Sequence, residues 1–355
     1  MKQFTLSKKW ILWGVNGILA LLALVCLLLG HAVCTALPTL NAAHTWAGES
    51  GQPFVQLACY LPNDKQLGQE DIWRLRQTLE EKLTEAALEA PENGSLYTDA
   101  YAGFGTLKVT GERGSAEVRV TGVGGDYFRF HPLHLRSGSY LSENDLMQDR
   151  VILDEELAWK LFGGMDLTGL TVTIGTADYY IAGVVSREDD RYSALAYTDG
   201  AGMFMSYSAL SQCAEDTGIS CYEIVLPNPI TSFGKNLLEE SIPLNGGLLV
   251  ENSSRYSLGN LLGVIGDFGQ RSMGRNGIIY PYWENAVRLT EDYAALLLVL
   301  TVLFAVLPAV NLTVTGVRFV RKLLKTAVGT VKTKTADSME RRREHAWQAA
   351  NEKRE

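Results

Sequence analysis

Hydrophobic and polar positions divide the chain into three regimes. Residues 10–30 form a charge-free apolar run behind Lys8 and Lys9. At about 1.5 Å of rise per residue, a helix of that length covers the roughly 30 Å of hydrocarbon in a bilayer. A second charge-free run occupies residues 293–317, and Arg318, Arg321, Lys322 and Lys325 follow it. Between these runs the pattern is that of a folded domain. Residues 53–61 read as a strand bounded by Pro53 and Pro62. Ile72, Leu75, Leu79, Leu83 and Ala86 then recur at helical spacing, which predicts an amphipathic helix over 69–89 laid on a sheet.

Strands are expected at 106–110 and 116–123, where Ala116, Val118 and Val120 alternate with Glu117 and Arg119. Residues 111–114 supply the hairpin turn. Ser142 and Asp145 have the spacing of a capping box and predict a helix start. A strand at 151–153 leads to Asp154 and a helix that stops at Gly163 and Gly164. Alternation at 170–174 and 179–185 adds two strands. Helices near 206–213, 233–240 and 258–268 interleave with strands at 222–226 and 247–250. The fold class is α+β, with its β-rich part in the middle.

Charge sets the topology. Residues 1–30 carry three bases and no acids, residues 31–293 carry 18 bases against 35 acids, and residues 294–355 carry 11 against 5. An acidic middle excludes nucleic acid as the partner of the bulk domain, because phosphate recognition needs clustered Lys and Arg. Basic residues beside membrane segments stay in the cytoplasm, so Lys8 and Lys9 (with Lys2) and Arg318, Arg321 and Lys322 hold both termini inside. The expected organisation is a cytoplasmic N-terminus (1–9), a first transmembrane helix (10–30), an extracytoplasmic domain (44–290), a second transmembrane helix (293–317) and a basic cytoplasmic tail (318–355). That is a two-pass plasma-membrane protein. Trp10 and Trp13 at the inner edge, and Tyr282, Trp283 and Tyr293 at the outer approach, read as interfacial anchors. Pro308 places a kink in the second helix, and Asn16 and Asn311 read as lipid-tolerated or helix-contacting residues. A cleaved signal peptide ending near Cys34, Thr35 and Ala36 is the rival for the first run.

No metal, cofactor or catalytic residue is assigned. The chain has no GxxxxGK[ST], GxSxG or HExxH motif. The glycines at 122–125 read as turn geometry, and His131 with His134 lacks a third ligand. Among five cysteines, Cys213 and Cys221 close a small loop as a disulfide or stay buried as thiols; the spacing allows both. Asn93 and Asn252 begin glycosylation sequons.

One set of segments is more specific. The runs VTGVGGDYF (120–128), LRSGSYL (135–141), RVILDEELAWKLFG (150–163), GLTVTIG (169–175) and YIAGVV (180–185), in this order and spacing, resemble the MacB-like periplasmic core domain of FtsX-like ABC transporter permeases. The resemblance implies a mixed α/β subdomain built from about 44–125 and 222–290, carrying a β-rich insert at about 126–221. It further implies a non-enzymatic membrane component in the lipid bilayer that works with a separate ABC ATPase and permease subunit, in a family whose members act as homodimers. The extracytoplasmic domain would engage substrate or a partner, or transmit motion. Typical members have four transmembrane helices, whereas a single convincing span follows the domain here. A membrane-anchored extracellular binding or sensor module, with no transport role, is the alternative.

Overall fold

The computed structural model describes residues 8–48, 51–88, 94–197, 202–215, 217–271, 274–275 and 277–351. Helix α1 (Lys8–Cys34) leads through a 3-10 turn at Pro38–Leu40 into α2 (Ala42–Ala47) and strand β1 (Phe54–Tyr60). Helix α3 (Gln69–Glu85) precedes a long hairpin of β2 (Thr98–Gly111) and β3 (Gly114–Gly125). Then come α4 (Tyr127–Phe130), β4 (His134–Gly138), β5 (Arg150–Asp154), α5 (Glu155–Leu161), β6 (Thr171–Ile174), β7 (Ala177–Ser186) and α6 (Arg191–Ala196). Strand β8 (Gly202–Ser206), α7 (Tyr207–Cys213), β9 (Ile219–Pro227), α8 (Phe233–Ser241), β10 (Leu248–Glu251) and α9 (Leu258–Asp267) follow. A minor hairpin of β11 (Gly274–Arg275) and β12 (Ile278–Ile279) ends at α10 (Tyr282–Asn351).

Ten strands form one sheet in the order β10-β1-β9-β2-β3-β8-β5-β7-β4, with β6 paired to β2 and β7. The pairs β3–β8 and β5–β7 are parallel, and the other pairs are antiparallel. Strand alternation sends successive side chains to opposite faces, and here both faces are covered. Tyr222, Ile224 and Leu226 of β9 enter the core under α3 and α8, with Leu57, Cys59, Leu75 and Leu79. Val151 and Leu153 of β5, with Met203 and Met205 of β8, enter a second core under α5 and α7. The intervening residues, among them Ala58, Ala100, Ala102, Ile152, Phe204 and Cys221, line the opposite face along the width of the sheet, where α2, α4 and the first turn of α10 sit.

The resemblance implies an insert at 126–221; the strands from that segment complete the same sheet. β8 adds to β3 in parallel and β6 to β2, so the long hairpin is shared by both halves. Its two-residue turn is docked: Arg113 N donates to Leu161 O at 2.9 Å. The hairpin, the α5 helix and the helix over 69–85 follow the sequence pattern. The helix expected from Ser142 does not form. Glu143 instead accepts from Arg76 at 3.0 Å and from Tyr101 at 3.1 Å, a bridge to α3 and β2 that replaces a local cap.

The glycines at 122–125 serve packing. A Cβ on Gly122 would lie 2.6 Å from Leu210 and one on Gly124 would lie 2.0 Å from Tyr101, while Gly125 has φ +63°. Asp154 caps α5, accepting from Leu157 N at 2.7 Å, and Asp190 caps α6. The acidic runs at 154–156 and 188–190, to which these two aspartates belong, are therefore explained locally.

The chain divides into two compact units, one of His31–Leu296 and a second comprising the described residues up to Gly30 and from Leu297 onward. Among the described residues, two helices, Trp10–Cys34 and Tyr282–Val328, are long and apolar enough to cross a membrane. Pro308 lies inside α10 without ending it. Trp10 and Trp13 are exposed, Trp10 at 72%. Lys8 and Lys9 are helical, and Lys2 lies outside the described residues, as does Asn93 of the first sequon. Asn311 Nδ2 donates to Asn16 Oδ1 at 3.1 Å, so these two residues contact one another. A Cβ on Gly30 would sit 3.9 Å from Leu297 Cβ, a separation suited to a disulfide. Gly30→Cys with Leu297→Cys should therefore cross-link on oxidation in membranes. Adding Asn311→Leu should lower the yield through a loss of about 0.6–2 kcal/mol of pairing. An unchanged yield would deny the asparagine pair any part in holding the helices together.

Candidate functional site

The face of the sheet beneath α10 carries an unusual amount of buried polarity. On β1, the alternation that sends Ala58 and Tyr60 to this face sends Gln56 there too. Gln56 Oε1 accepts from Ala42 N at 3.1 Å and its Nε2 donates to Thr39 O at 2.7 Å, which fixes the chain between α1 and β1. On β9, Glu223 is paired across the sheet with Ala58 on one side and Ala100 on the other. Those short neighbours leave room above the carboxylate for a ring. His131, which ends α4, fills it, with Nε2 2.5 Å from Glu223 Oε2. The imidazole lies against Trp283 (4.5 Å between centroids) and Tyr127 (4.6 Å).

Trp283 starts a stripe. Trp283, Ala286, Val287, Thr290 and Ala294 are all buried, at the spacing of one helical face. Glu284 and Glu291, seven residues apart and so two turns along the helix, meet Arg255 in the loop before α9. Arg255 Nη2 lies 2.5 Å from Glu284, Nη1 lies 3.2 Å from Glu291, and Nε donates to Asn252 Oδ1 at 2.9 Å. Tyr60 Oη donates to Glu284 at 2.9 Å from the sheet below. Arg271 extends the cluster with ion pairs to Glu291 (2.6 Å) and Asp292 (2.7 Å). Residues 282–296 of α10 are thus an integral layer of the domain, clamped to β1, to the Asn252–Arg255 turn and to Arg271.

Burial works to lower the Arg255 pKa, but Glu284 and Glu291 overcome it and hold the guanidinium above its usual range. Burial pushes the Glu284 carboxyl upward, Arg255 pulls it back, and the like charge of Glu291 adds to the rise. An ion pair of this kind contributes little net stability relative to an apolar isostere, yet losing one member is costly. It specifies where a helix seats. Beside it is a cleft lined by Phe104, Arg119, Asp154, Arg187, Phe204 and Tyr282, with Tyr197 stacked on Tyr282 at 4.3 Å and Arg187 placed over Tyr197. Among the described residues, no group of three or more His, Cys, Asp or Glu side chains is placed to hold a metal ion. His134 is exposed on β4, apart from His131.

Residues 54–229, which include β1, β9 and the long hairpin between them, match the model of the MacB-like periplasmic core domain. The chain carries a MacB-like periplasmic core domain. A 91-residue stretch is 32% identical to the macrolide export ATP-binding/permease protein MacB of Chromobacterium violaceum, covering 25% of this chain and 14% of that protein. The chain therefore spans only a small fraction of this curated relative. Among solved structures it is similar to the periplasmic region of MacB from Actinobacillus actinomycetemcomitans, at 15% identity and TM-score 0.41, over 61% of this chain and 94% of that one. It is also similar to the extracellular domain of the noncanonical ABC-type transporter YknZ from Gram-positive bacteria, at 15% identity and TM-score 0.36, over 56% and 99%. The matched MacB-like segment contains Tyr60, His131 and Glu223, while Arg255 and the start of α10 lie beyond it.

The expectation of aromatic anchors changes, and the choice left open for the cysteines is resolved. Trp283 is 3% exposed inside the His31–Leu296 unit, and Tyr282 stacks on Tyr197 and donates to Glu188 at 3.1 Å, so neither is placed as a membrane anchor. Tyr293 is half-buried against Tyr192, beneath Arg191. Cys213 and Cys221 are both free. Cys221 lies on β9 in the core under α10, whereas Cys213 packs on the opposite face and contacts Tyr179 Oη at 3.1 Å; the sheet separates them. Burial pushes the Cys59 thiol up to about 12. Asn252, the second sequon, is buried and committed to Arg255. Arg255, Glu284 and Glu291 are functional candidates that hydropathy passed over. The signal present was two glutamates seven apart beside an apolar stripe.

Proposed function

We propose that this chain is a non-catalytic membrane component of an ABC-type transport or mechanotransmission system. Both termini are cytoplasmic, and the MacB-like domain lies outside, where it engages substrate or a partner. A separate ATPase supplies the energy, and a separate permease subunit is its partner in the membrane. The observation that carries this reading is the clamp: α10 begins as a layer of the domain, so residues 282–296 cannot shift without the sheet, Tyr60 and Arg255 shifting too. Coupling then requires two arrangements of the assembly that differ in their contacts. The acidic domain between basic flanks supports the orientation.

Affinity purification of the full chain from detergent-solubilised native membranes, followed by mass spectrometry, tests it. Recovery of an ABC ATPase in amounts comparable to the bait is expected, together with stimulation of that ATPase's turnover on reconstitution. Recovery of the chain without any ATPase would transfer the assignment to the binding or sensor module.

A further inference from the structure

Helix α9 exposes an apolar face that the domain leaves uncovered. Leu261 and Val264 pack inward, while Leu258 (62% exposed), Leu262 (56%), Ile265 (37%) and Phe268 (62%) point out. Between residues 256 and 270 the only formal charge is Asp267. At 100° per residue, Leu258, Leu262 and Ile265 share one face, Leu261, Val264 and Phe268 flank it, and Asn260 and Asp267 lie opposite. Gly259 and Gly263 fill the remaining flank, with nothing within 4 Å of a Cβ at either.

What lies against this face follows from how α9 is tied down. On its N-terminal side, Tyr256 Oη lies 2.7 Å from Thr290 Oγ1, and Arg255 holds Glu291. On its C-terminal side, Arg271 holds Glu291 and Asp292, and donates to Arg288 O at 3.0 Å. Both ends therefore return to one turn of α10. Thr290, Glu291 and Asp292 are the last polar residues before the charge-free run that starts at 293. A ten-residue helix is about 15 Å long, so an excursion that leaves and rejoins that turn stays at the level where α10 turns apolar. Exposed apolar patches of this kind mark interaction sites. Four side chains fall short of the roughly 800 Å² per partner that a stable dimer buries.

We infer that α9 lies in the outer headgroup and acyl boundary of the bilayer, with Leu258, Leu262, Ile265 and Phe268 inserted and Asp267 toward water. The inference rests on the proposal that residues 293–317 cross that bilayer. It makes α9 a foot for the domain, tied through Arg255 and Arg271 to the turn that enters the membrane.

The full chain in lipid nanodiscs tests this, with nitroxide labels at Leu262→Cys, Ile265→Cys, Asp267→Cys and Leu303→Cys, one at a time. Cys26, Cys34 and Cys213 are replaced by serine; Cys59 and Cys221 are buried and remain. Collision rates with oxygen and with a neutral nickel chelate are read at each site. Labels at 262, 265 and 303 should favour oxygen several-fold relative to the label at 267. Nickel access at 262 and 265 equal to that at 267, with 303 still in lipid, overturns the inference and leaves the two-span reading standing. Spin–spin broadening at 262 that sharpens on dilution with unlabelled chain assigns the face to a second copy and also overturns it. Nickel access at 303 removes the span itself. Leu262 and Ile265 are exposed in the fold, so their substitution leaves the core intact.

Discussion

Replacing Arg255 with methionine lowers the thermal unfolding midpoint of the detergent-solubilised chain by roughly 10 °C. Removing one member of a buried ion-pair cluster costs about 3–5 kcal/mol, and at roughly 2–4 °C per kcal/mol for a domain of this size the shift follows. The cost is chiefly the stranded charge of Glu284, 2.5 Å from the guanidinium, since Glu291 keeps its ion pair with Arg271 at 2.6 Å. The double variant Arg255→Met, Glu284→Gln should recover most of the loss, because it removes the buried charge together with its partner while Glu291 keeps Arg271. The deficit also has a pH signature. Burial raises the Glu284 carboxyl and Arg255 opposes the rise. Without Arg255 the folded state takes up its proton at a higher pH than the unfolded chain. A group with a raised folded pKa contributes stability below its unfolded value and loses it as pH climbs through the folded one. The gap between wild type and Arg255→Met should therefore be widest at alkaline pH and narrow on acidification. Differential scanning fluorimetry across pH 5 to 9 reads both. A midpoint within about 2 °C of wild type at pH 8 would show that Glu284 is hydrated and the clamp is absent.

Trp283→Ala separates two readings of the same residue. As a core residue beside His131, Tyr127 and Phe104, it should cost about 3–5 kcal/mol on truncation. Trp10→Ala, at a site 72% exposed, should stay within about 0.5 kcal/mol in detergent. Both would behave alike, and mildly, if Trp283 were an interfacial anchor. Chemical denaturation followed by near-UV circular dichroism compares them. Partial rescue by Trp283→Phe would confirm that volume, more than the indole N–H, holds the site together.

Much of the fold was legible because strand alternation and helical spacing are local properties. Val118 and Val120, or Leu75 and Leu79, announce their element within a few residues. The failures share a cause. Tyr282 and Trp283 precede an apolar run, and an aromatic belt has the same composition as an aromatic core; only the stripe through Ala286, Val287, Thr290 and Ala294 tells them apart. Cys213 and Cys221 are near in sequence, but β9 carries one of them to the other side of the sheet. Ser142 and Asp145 have a cap's spacing, yet Glu143 between them answers to Arg76 at a separation of 67 residues. Arg255 pairs with groups 29 and 36 positions away, distances at which no periodicity reports. The resemblance to MacB-like domains rested on segments inside residues 120–185, and so it described the sheet without reaching the clamp.

With both faces covered, the sheet offers a strand-adding neighbour only its rims. Among the described strands these are β4 and β10. β4 is a poor template: its pairing with β7 shifts register between Leu135 and Ser137, and Gly138 turns with φ +77°. β10 pairs regularly with β1 and its last residue, Glu251, directly precedes the turn that carries Arg255. A peptide or sister subunit that lengthened the sheet there would hydrogen-bond within four residues of the guanidinium on which the start of α10 is seated, so docking at the margin and the seating of residues 282–296 would report on each other.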